Sequence, residues 1–387
     1  MTRAADPPMS IPDEITEAVL ARDEVARYLQ GGGDGKLPSA RERVETYLGE
    51  MRTTQRHSMY KVLKHPLYPI FRKVDRHVEG IEHVRAATAA GRVVYISNHK
   101  SHLDYLLELL ALEDCAIRPP VIAAGINLFG GPLGLINRQI TGAIPIRRNT
   151  KDPVYLATLK AYVAEVLRRH DVFFYIEGGR SYTGEFKAPK TGLVHAALQA
   201  GVAGLQIIPV AIAYDLVLED RSLARQGVKK SQRPFSRELA EMVGSAVGYQ
   251  TRSFTVFGEP LSVAGFDHHT RRDVLDLAQL VKARISLLHK VVPTAIVAAA
   301  MRPSSPPAEL RARIAELVDR LRERGANLDI TDPQEIMVSG AERLVDRDAM
   351  AVDDGLYRVR DRTLLRYYAR SIAHLIAPVR QPPAPVA

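Results

Sequence analysis

The chain has 387 residues and a formal net charge of +9, so it is long enough to bury a substantial core and basic enough to favour acidic partners. Its single cysteine, Cys115, excludes an intrachain disulfide and is typical of a reducing compartment. No basic segment followed by an apolar core begins the chain, and no apolar run is long enough to cross a bilayer. We therefore expect neither a signal peptide nor a transmembrane helix.

The N-terminal region, residues 1–85, is expected to be helical. Apolar residues at helical spacing predict an amphipathic helix over residues 11–30, and a glycine-rich flexible linker follows it. A second helix is expected to begin at Ser39, because Glu42 completes a capping box with it. Residues 52–76 mix basic and apolar side chains, which is typical either of a membrane surface or of a helical subdomain packed on the next domain.

Strands and helices alternate in the next region, residues 86–300. Strands are predicted over residues 92–97, 121–124, 142–146, 172–176, 206–213 and 253–257, with helices between them that include 153–169 and 191–200. This alternation predicts an α/β fold with a mainly parallel central sheet flanked by helices. Ligands of such sheets bind beyond the carboxyl ends of the strands, so the residues that follow those ends are candidates for a site.

The first candidate is the turn after the predicted strand 92–97. His99 lies on this turn and Asp104 lies about one turn into the predicted helix that follows, so the imidazole can reach the carboxylate. A histidine held by an aspartate can act as a general base for an alcohol nucleophile. Two other interpretations are open: a capping box formed by Ser101 and Asp104, and a metal site formed by His99, His102 and Asp104.

Two further motifs follow predicted strands. Arg147 and Arg148 end the strand that contains Pro145, where they either hold a phosphate or form a solvated strand end. A glycine-containing loop with a third cation, Arg180, follows the strand 172–176 and allows close approach of a ligand to its backbone. Pro209 lies within a predicted strand, which indicates a sheet edge, a bulge or simply a core strand.

The C-terminal region, residues 301–387, is predicted to be helical with a proline-rich, disordered tail. Leu310, Ile314, Leu317 and Leu321 form one apolar stripe of a helix. Two apolar stretches, residues 126–140 and 291–301, are candidate membrane-contact surfaces, with core packing as the alternative for each.

In order and spacing, these segments resemble the four motifs of the glycerolipid acyltransferases. The motifs are His99 with Asp104, the arginines after Pro145, the segment Glu177 to Ser181, and the strand around Pro209. The Glu-Gly-Gly-Arg-Ser form, with Pro-Lys-Thr-Gly at 189–192, resembles the bacterial glycerol-3-phosphate 1-O-acyltransferase branch in particular. Residues 364–375 also resemble the C-terminal helix of that branch.

The resemblance implies the transfer of a fatty acyl group from acyl-CoA or acyl carrier protein to sn-glycerol 3-phosphate, giving lysophosphatidic acid, the first step of phospholipid biosynthesis. It assigns His99 as the base and Asp104 as its orienting partner. It assigns the substrate phosphate to Arg147, Arg148, Arg180 and Lys190, and the walls of the pocket to Glu177, Gly178, Gly179, Ser181 and Pro209. It implies no metal and no cofactor besides the thioester co-substrate. The amides at the start of the helix near Ser101 are candidate oxyanion donors.

The resemblance also implies a peripheral protein at the cytoplasmic face of the cell membrane, in contact with an anionic lipid surface and not with nucleic acid. Two alternatives stay open at this stage. A close one is acylation of dihydroxyacetone phosphate or of a lysophospholipid by the same site. A distant one, indicated by the basic charge, is a non-catalytic protein that binds lipid or nucleic acid.

Overall fold

The computed structural model describes residues 13–30, 38–53, 74–126, 142–147, 150–229 and 250–376. The helices are α1 (Asp13–Leu20), α2 (Asp23–Leu29), α3 (Ala40–Met51), α4 (Ile81–Ala90), α5 (Asp104–Asp114), α6 (Pro153–Arg169), α7 (Gly192–Gln199), α8 (Asp220–Lys229), α9 (Arg271–Leu288), α10 (Pro293–Ala300), α11 (Pro307–Glu323), α12 (Pro333–Asp346), α13 (Arg362–Arg370) and α14 (Ala373–Ile376). The strands are β1 (Val74–Glu79), β2 (Val93–Ser97), β3 (Val121–Gly125), β4 (Ile144–Ile146), β5 (Val172–Tyr175), β6 (Gln206–Tyr214), β7 (Thr251–Phe257), β8 (Leu261–Ser262), β9 (Ser304–Ser305), β10 (Met350–Asp353) and β11 (Leu356–Val359).

The main sheet has the strand order β1-β7-β6-β2-β5-β3-β4, and β8 pairs with the start of β6. Strands β2 to β6 run parallel to one another, whereas β7 and β8 are antiparallel to β6. The predicted α/β class with a mainly parallel central sheet is therefore confirmed. The carboxyl ends of β2, β5 and β6 are adjacent, which brings the loops after them to one place.

Apolar side chains on both faces of β2 explain its position in the middle of the sheet. Val94 and Ile96 belong to the core that α1, α2, α3, α6, α7 and α9 cover, whereas Val93 and Tyr95 belong to the opposite core, covered by α4 and the end of α5. A strand that is buried on both faces needs apolar residues at every position, in contrast to the alternation of a half-exposed strand.

The N-terminal region departs from the prediction in two places. The expected helix over residues 11–30 is interrupted at Arg22, which is extended and whose guanidinium bonds Glu165 over 2.9 Å. Residues 74–79, expected to be helical, form the edge strand β1, which pairs in parallel with β7. Its central residues are polar and exposed, so no apolar periodicity marks it as a strand. The capping box at Ser39 is present as predicted.

The C-terminal helices pack directly on the α/β region of the chain. The predicted stripe of Leu310, Ile314, Leu317 and Leu321 is buried. Helix α10 is buried along its length and packs on α12 and α13, so the apolar stretch 291–301 is core. Gly340 of α12 makes this packing possible, because a Cβ there would lie 2.6 Å from the backbone oxygen of Pro293.

Several predictions fall on residues that the structure does not describe. They are the linker at 31–36, most of 52–76, residues 127–140 of the first apolar stretch, Arg148, and the C-terminal tail. In the described part of the chain, we find no helix that is both long and apolar enough to cross a membrane.

Candidate active site

The loop that carries His99 is fixed to the ends of both neighbouring strands. The side-chain amide of Asn98 donates to the carbonyl of Ile212, and its oxygen accepts the Ile212 backbone amide, at 3.0 and 2.8 Å. The backbone oxygen of His99 accepts from the amide of Ser181 over 3.0 Å. The loops that follow β2, β5 and β6 therefore form one structure, as the shared sheet edge predicts.

His99 and Asp104 form the predicted pair. Nδ1 of His99 lies 2.8 Å from Oδ2 of Asp104, and both residues are buried. The same carboxylate oxygen accepts the backbone amides of Lys100 and Ser101 at 2.6 and 2.9 Å, and Tyr214 donates its hydroxyl to Oδ1 over 2.6 Å. A carboxylate fixed at both oxygens selects the tautomer with the proton on Nδ1, which gives Nε2 the basic lone pair.

The capping interpretation of Asp104 is correct in part. Asp104 accepts the amide of Ser101, as in a capping box, and it begins α5. The reciprocal bond is missing, because the Asp104 amide donates to the backbone carbonyl of Ser101 over 3.3 Å, and the Ser101 hydroxyl oxygen accepts the Leu103 amide over 3.1 Å. Asp104 therefore orders the helix start and orients the imidazole at once.

Burial dominates the electrostatics of this loop. It raises the pKa of Asp104 to about 6, although the bonds from Tyr214 and the two amides favour the charged form. Burial also lowers the pKa of Lys100 to about 8. The ammonium of Lys100 donates to the carbonyl of Gly184 over 2.7 Å and lies 4.6 Å from the ring centre of Phe186.

A second carboxyl group behind the imidazole was not predicted. The ring of Tyr175 stacks on His99 with centroids 4.0 Å apart and planes 10° apart. The Tyr175 hydroxyl donates to Glu108 over 2.7 Å, and Ser97 donates to the other oxygen of Glu108. Burial and the nearby Asp104 charge raise the pKa of Glu108 well above its usual value. The sequence feature that could have predicted this group is a glutamate one turn after Asp104 in an otherwise leucine-rich helix.

The loop after β5 carries Glu177, Arg180 and Ser181, and it contacts His99 through the Ser181 amide and the Glu177 carboxylate. Glu177 accepts the amide of Lys187 over 3.1 Å and faces the amide of His99 at 3.4 Å, and burial raises the pKa of this carboxyl. Arg180 is only 6% exposed, and its guanidinium lies 5.6 Å from the ring centre of Tyr182. Ser181 donates its hydroxyl to the carbonyl of Glu185 over 2.6 Å.

The remaining predicted pocket residues have backbone roles in this loop. Gly178 has a φ of +65°, and a Cβ there would lie 3.1 Å from the stem of Lys190. Lys190 itself is exposed, and its amide donates to the carbonyl of Ile176 over 2.7 Å. The carbonyl of Gly179 accepts from the ammonium of Lys187 over 2.8 Å. These contacts shape the loop through its main chain.

Pro209 lies inside the sheet, opposite Ile96 of β2, and not at an edge. On its other side, the pairing of β6 changes partner from β8, at Ile207, to β7, at Val210. The missing amide of the proline therefore falls in the gap between two ladders, where it interrupts no strand pairing.

The structure does not bring Arg147 to the imidazole. Its guanidinium pairs with Glu50 of α3 through two contacts, one of them 2.9 Å, and it packs on the rings of Tyr47 and Tyr155. Arg147 follows β4, which β3 and β5 separate from β2, so it lies roughly 14 Å along the sheet edge at the usual strand spacing. Arg148 lies outside the described residues.

The amides at the start of α5 are already used inside the protein. The amides of Lys100 and Ser101 donate to Asp104. The amide of His102 donates to Glu219 over 2.7 Å, and the amide of Leu103 donates to the Ser101 hydroxyl oxygen over 3.1 Å. The expected oxyanion donors at this helix start are therefore not available without rearrangement.

The metal interpretation needs ligand atoms of His99, His102 and Asp104 close together, and in the described part of the chain these atoms do not all come within 4.8 Å of one another. Among the described residues, Asp267, His268 and His269 bring potential metal-ligand atoms within 4.8 Å of one another. They follow β8, which pairs with the first residues of β6 at the opposite edge of the sheet from His99.

Comparisons with known proteins agree with the motifs. Residues 75–213 match the model of the Acyltransferase family. The glycerol-3-phosphate acyltransferase of Haemophilus ducreyi is 34% identical over 239 residues, which are 59% of this chain and 29% of that protein. The enzyme of the same name from Aeromonas hydrophila is 30% identical over 379 residues, covering 88% of this chain and 47% of that protein.

The matched regions span less than half the length of these curated relatives. Among solved structures, the 1-acyl-sn-glycerophosphate acyltransferase of Thermotoga maritima is similar at 16% identity, with a TM-score of 0.35 over 68% of this chain and 85% of that chain. The resemblance to acyltransferases that the motifs indicated is confirmed by the family match and by the curated relatives.

Proposed function

We propose that this chain, which carries an acyltransferase-family domain over residues 75–213, is a glycerol-3-phosphate 1-O-acyltransferase. The observation that carries the proposal is the buried pair of His99 and Asp104 at the carboxyl edge of the sheet, with the cation of Arg180 in the adjoining loop. A base and an anion-binding group close together suit a substrate that carries both a hydroxyl and a phosphate.

In the proposed reaction, Nε2 of His99 takes the proton of the sn-1 hydroxyl while its oxygen attacks the carbonyl carbon of the acyl thioester. Asp104 stabilises the imidazolium that forms. The C–O bond forms, the C–S bond breaks, and the imidazolium returns the proton to the departing thiolate. Because the hydroxyl attacks the thioester directly, both substrates must be bound together. Positioned general-base catalysis contributes about two to four powers of ten.

Of the predicted phosphate ligands, Arg180 is the one whose position supports the assignment best. It is buried in the loop whose Ser181 amide bonds the backbone of His99. Lys190 and Arg148 remain proposed ligands. Arg147 could contribute only by exchanging its partner Glu50 for the phosphate, so we propose that it mainly holds α3 against the sheet edge.

We further propose that the protein works at an anionic membrane surface, where its acyl product resides. The net charge of +9 supports this. So does the outer face of α9, where Leu280 and Leu287 are 37% and 46% exposed and Arg284 is exposed beside them. Exposed apolar side chains next to basic ones suit the interface of an anionic bilayer.

The test is thioester consumption by the purified protein in detergent or vesicles. Long-chain acyl-CoA and acyl carrier protein serve as donors, with glycerol 3-phosphate, glycerol or dihydroxyacetone phosphate as acceptors. We expect turnover that requires the phosphorylated polyol and is lost in His99→Ala. Turnover with the ketone alone would reassign the substrate. The absence of turnover with every donor and acceptor would overturn the enzymatic proposal.

A further inference from the structure

Two consecutive carboxylates, Glu219 and Asp220, lie between the active-site loops and the C-terminal helices. Both are buried, with 2% and 0% of their surface exposed. They come just after β6, and neither belongs to the segments that the sequence motifs single out. Buried carboxylates are rare unless they are paired and hydrogen-bonded, so their partners indicate why they are present.

Glu219 faces the active site. Its carboxylate accepts the Ser101 hydroxyl over 2.9 Å and the His102 amide over 2.7 Å, so it is fixed to the loop that carries His99. Its Oε1 also lies 3.8 Å from Nη1 of Arg180. One carboxylate therefore contacts both the loop of the base and the cation that we propose for the phosphate.

Asp220 faces the opposite way, toward the C-terminal helices. Arg347, just after α12, bonds it through Nε over 3.0 Å to each oxygen and through Nη2 over 2.5 Å. The hydroxyl of Tyr368 in α13 donates to the same carboxylate. The side chains of Arg347 and Asp220 are 6% and 0% exposed, so this is a buried ion pair.

The charge of Glu219 has a physical consequence for Arg180. A buried guanidinium requires a nearby compensating charge, and its planar group takes the orientation that this charge favours. Because Ser101 and His102 fix the carboxylate, the cation is fixed relative to the imidazole. A phosphate contact helps catalysis only when it places the sn-1 hydroxyl at the base, and small displacements are costly.

We propose that Glu219 is a positioning residue that holds Arg180 at the distance from His99 which the phosphorylated substrate requires, and that Asp220 anchors it to the C-terminal helices. This inference rests on the proposed function, because it assigns Arg180 to the substrate phosphate. Glu219 touches neither reacting group and acts through Arg180.

The test compares Glu219→Gln with the native chain. The amide keeps the size of the side chain and can still accept from Ser101, but it removes the charge that faces Arg180. We expect the KM for glycerol 3-phosphate to rise about tenfold or more, the scale expected when one partner of a buried charge pair is neutralised. The KM for the acyl donor should stay within about threefold, because its contacts are unchanged, whereas kcat should fall, because a displaced phosphate moves the sn-1 hydroxyl away from the base.

Two further variants separate positioning from general damage to the fold. Glu316→Gln, an exposed position of α11, makes the same chemical change elsewhere and should leave both KM values unaltered. Adding Glu219→Gln to Arg180→Gln should not raise the KM for glycerol 3-phosphate beyond that of Arg180→Gln alone, because the two residues act in series. Equal rises in both KM values, or an unchanged KM for glycerol 3-phosphate, would overturn the proposal.

A binding measurement keeps this result separate from the proposed reaction. Calorimetric titration with inorganic phosphate and with glycerol 3-phosphate needs no turnover. If the native chain binds phosphate and Glu219→Gln loses about tenfold in affinity at an unchanged melting temperature, the positioning role stands even if the assigned reaction fails. Equal affinity of the native and variant chains for phosphate refutes the role, whatever reaction the protein catalyses.

Discussion

Replacing Tyr214 with phenylalanine removes one hydroxyl from the surroundings of Asp104 and leaves the ring in place. Burial raises the pKa of Asp104 to about 6, and the 2.6 Å bond from Tyr214 is the largest effect that opposes this rise. A hydrogen bond to a charged group contributes about 1.5–3 kcal/mol, and one pKa unit corresponds to about 1.36 kcal/mol. The variant should therefore raise the pKa of Asp104 by roughly one to two units.

The direction of the effect on activity follows from the role of the carboxylate. Asp104 supports His99 when it is ionised, so activity falls as the pH decreases through the pKa of the pair. Loss of the Tyr214 hydroxyl favours the protonated form, so the acid limb of the profile moves to higher pH. At alkaline pH the carboxylate is ionised in both proteins, and the activities should agree within about tenfold.

The assay is kcat/KM for the acyl transfer across about pH 5 to pH 9, a range that brackets the titration of histidine. Tyr162→Phe is the matched control: Tyr162 is also a buried tyrosine, but its hydroxyl has no hydrogen-bond partner among the described residues. The control should keep the native profile. An acid limb that stays in place in Tyr214→Phe, or moves to lower pH, would refute the proposed link between Tyr214 and the charge of Asp104.

Three other predictions test the site, the packing and the membrane surface. Glu108→Gln should keep activity within about threefold, because the amide oxygen can still accept a hydrogen bond from a hydroxyl. Glu108→Ala should lower the melting temperature measured by thermal denaturation, because it leaves the buried hydroxyls of Ser97 and Tyr175 unpaired. Gly340→Ala should cost about 1–3 kcal/mol in the free energy of unfolding by chemical denaturation. By contrast, Gly49→Ala, with nothing within 4 Å of the new carbon in α3, should be neutral or stabilising; equal costs would contradict the packing argument. Glutamate at Leu280 and Leu287 should reduce sedimentation with anionic vesicles at unchanged turnover on soluble substrates, and undiminished binding would exclude α9 as the contact surface.

The sequence predicts best what depends on neighbours in the chain. The strand at 93–97, the pairing of His99 with Asp104 and the capping box at Ser39 arise from residues a few positions apart, and all three are present. The strand β1 was missed because its central residues are polar and show no apolar periodicity. Its strand conformation depends on the pairing with β7. A local pattern cannot show which distant strand will pair with it.

Contacts between segments that are distant in the sequence account for the other differences between the predictions and the structure. Arg147 pairs with the carboxylate of Glu50, which lies 97 positions away in the sequence. The motif of Arg147 therefore predicts a cation at the sheet edge but does not predict which anion pairs with that cation. Glu219 meets the His102 amide across 117 positions. Such partners are determined by the order of strands in the sheet, which brings segments together that no spacing rule relates.

The packing also bears on the expected division between the α/β region and the helices that follow residue 300. Leu103 and Leu107, at the start of α5, lie in the same apolar core as α10 to α14. Gly184, in the loop of Arg180, has a φ of +87°, and a Cβ there would lie 2.0 Å from the backbone oxygen of Tyr367. The buried pair of Asp220 and Arg347 adds a charged link at the same junction. The loops that carry His99 and Arg180 are therefore supported from behind by α12 and α13. Since catalysis by positioned groups depends on their supporting contacts, we propose that these helices support the proposed active site as much as the sheet does.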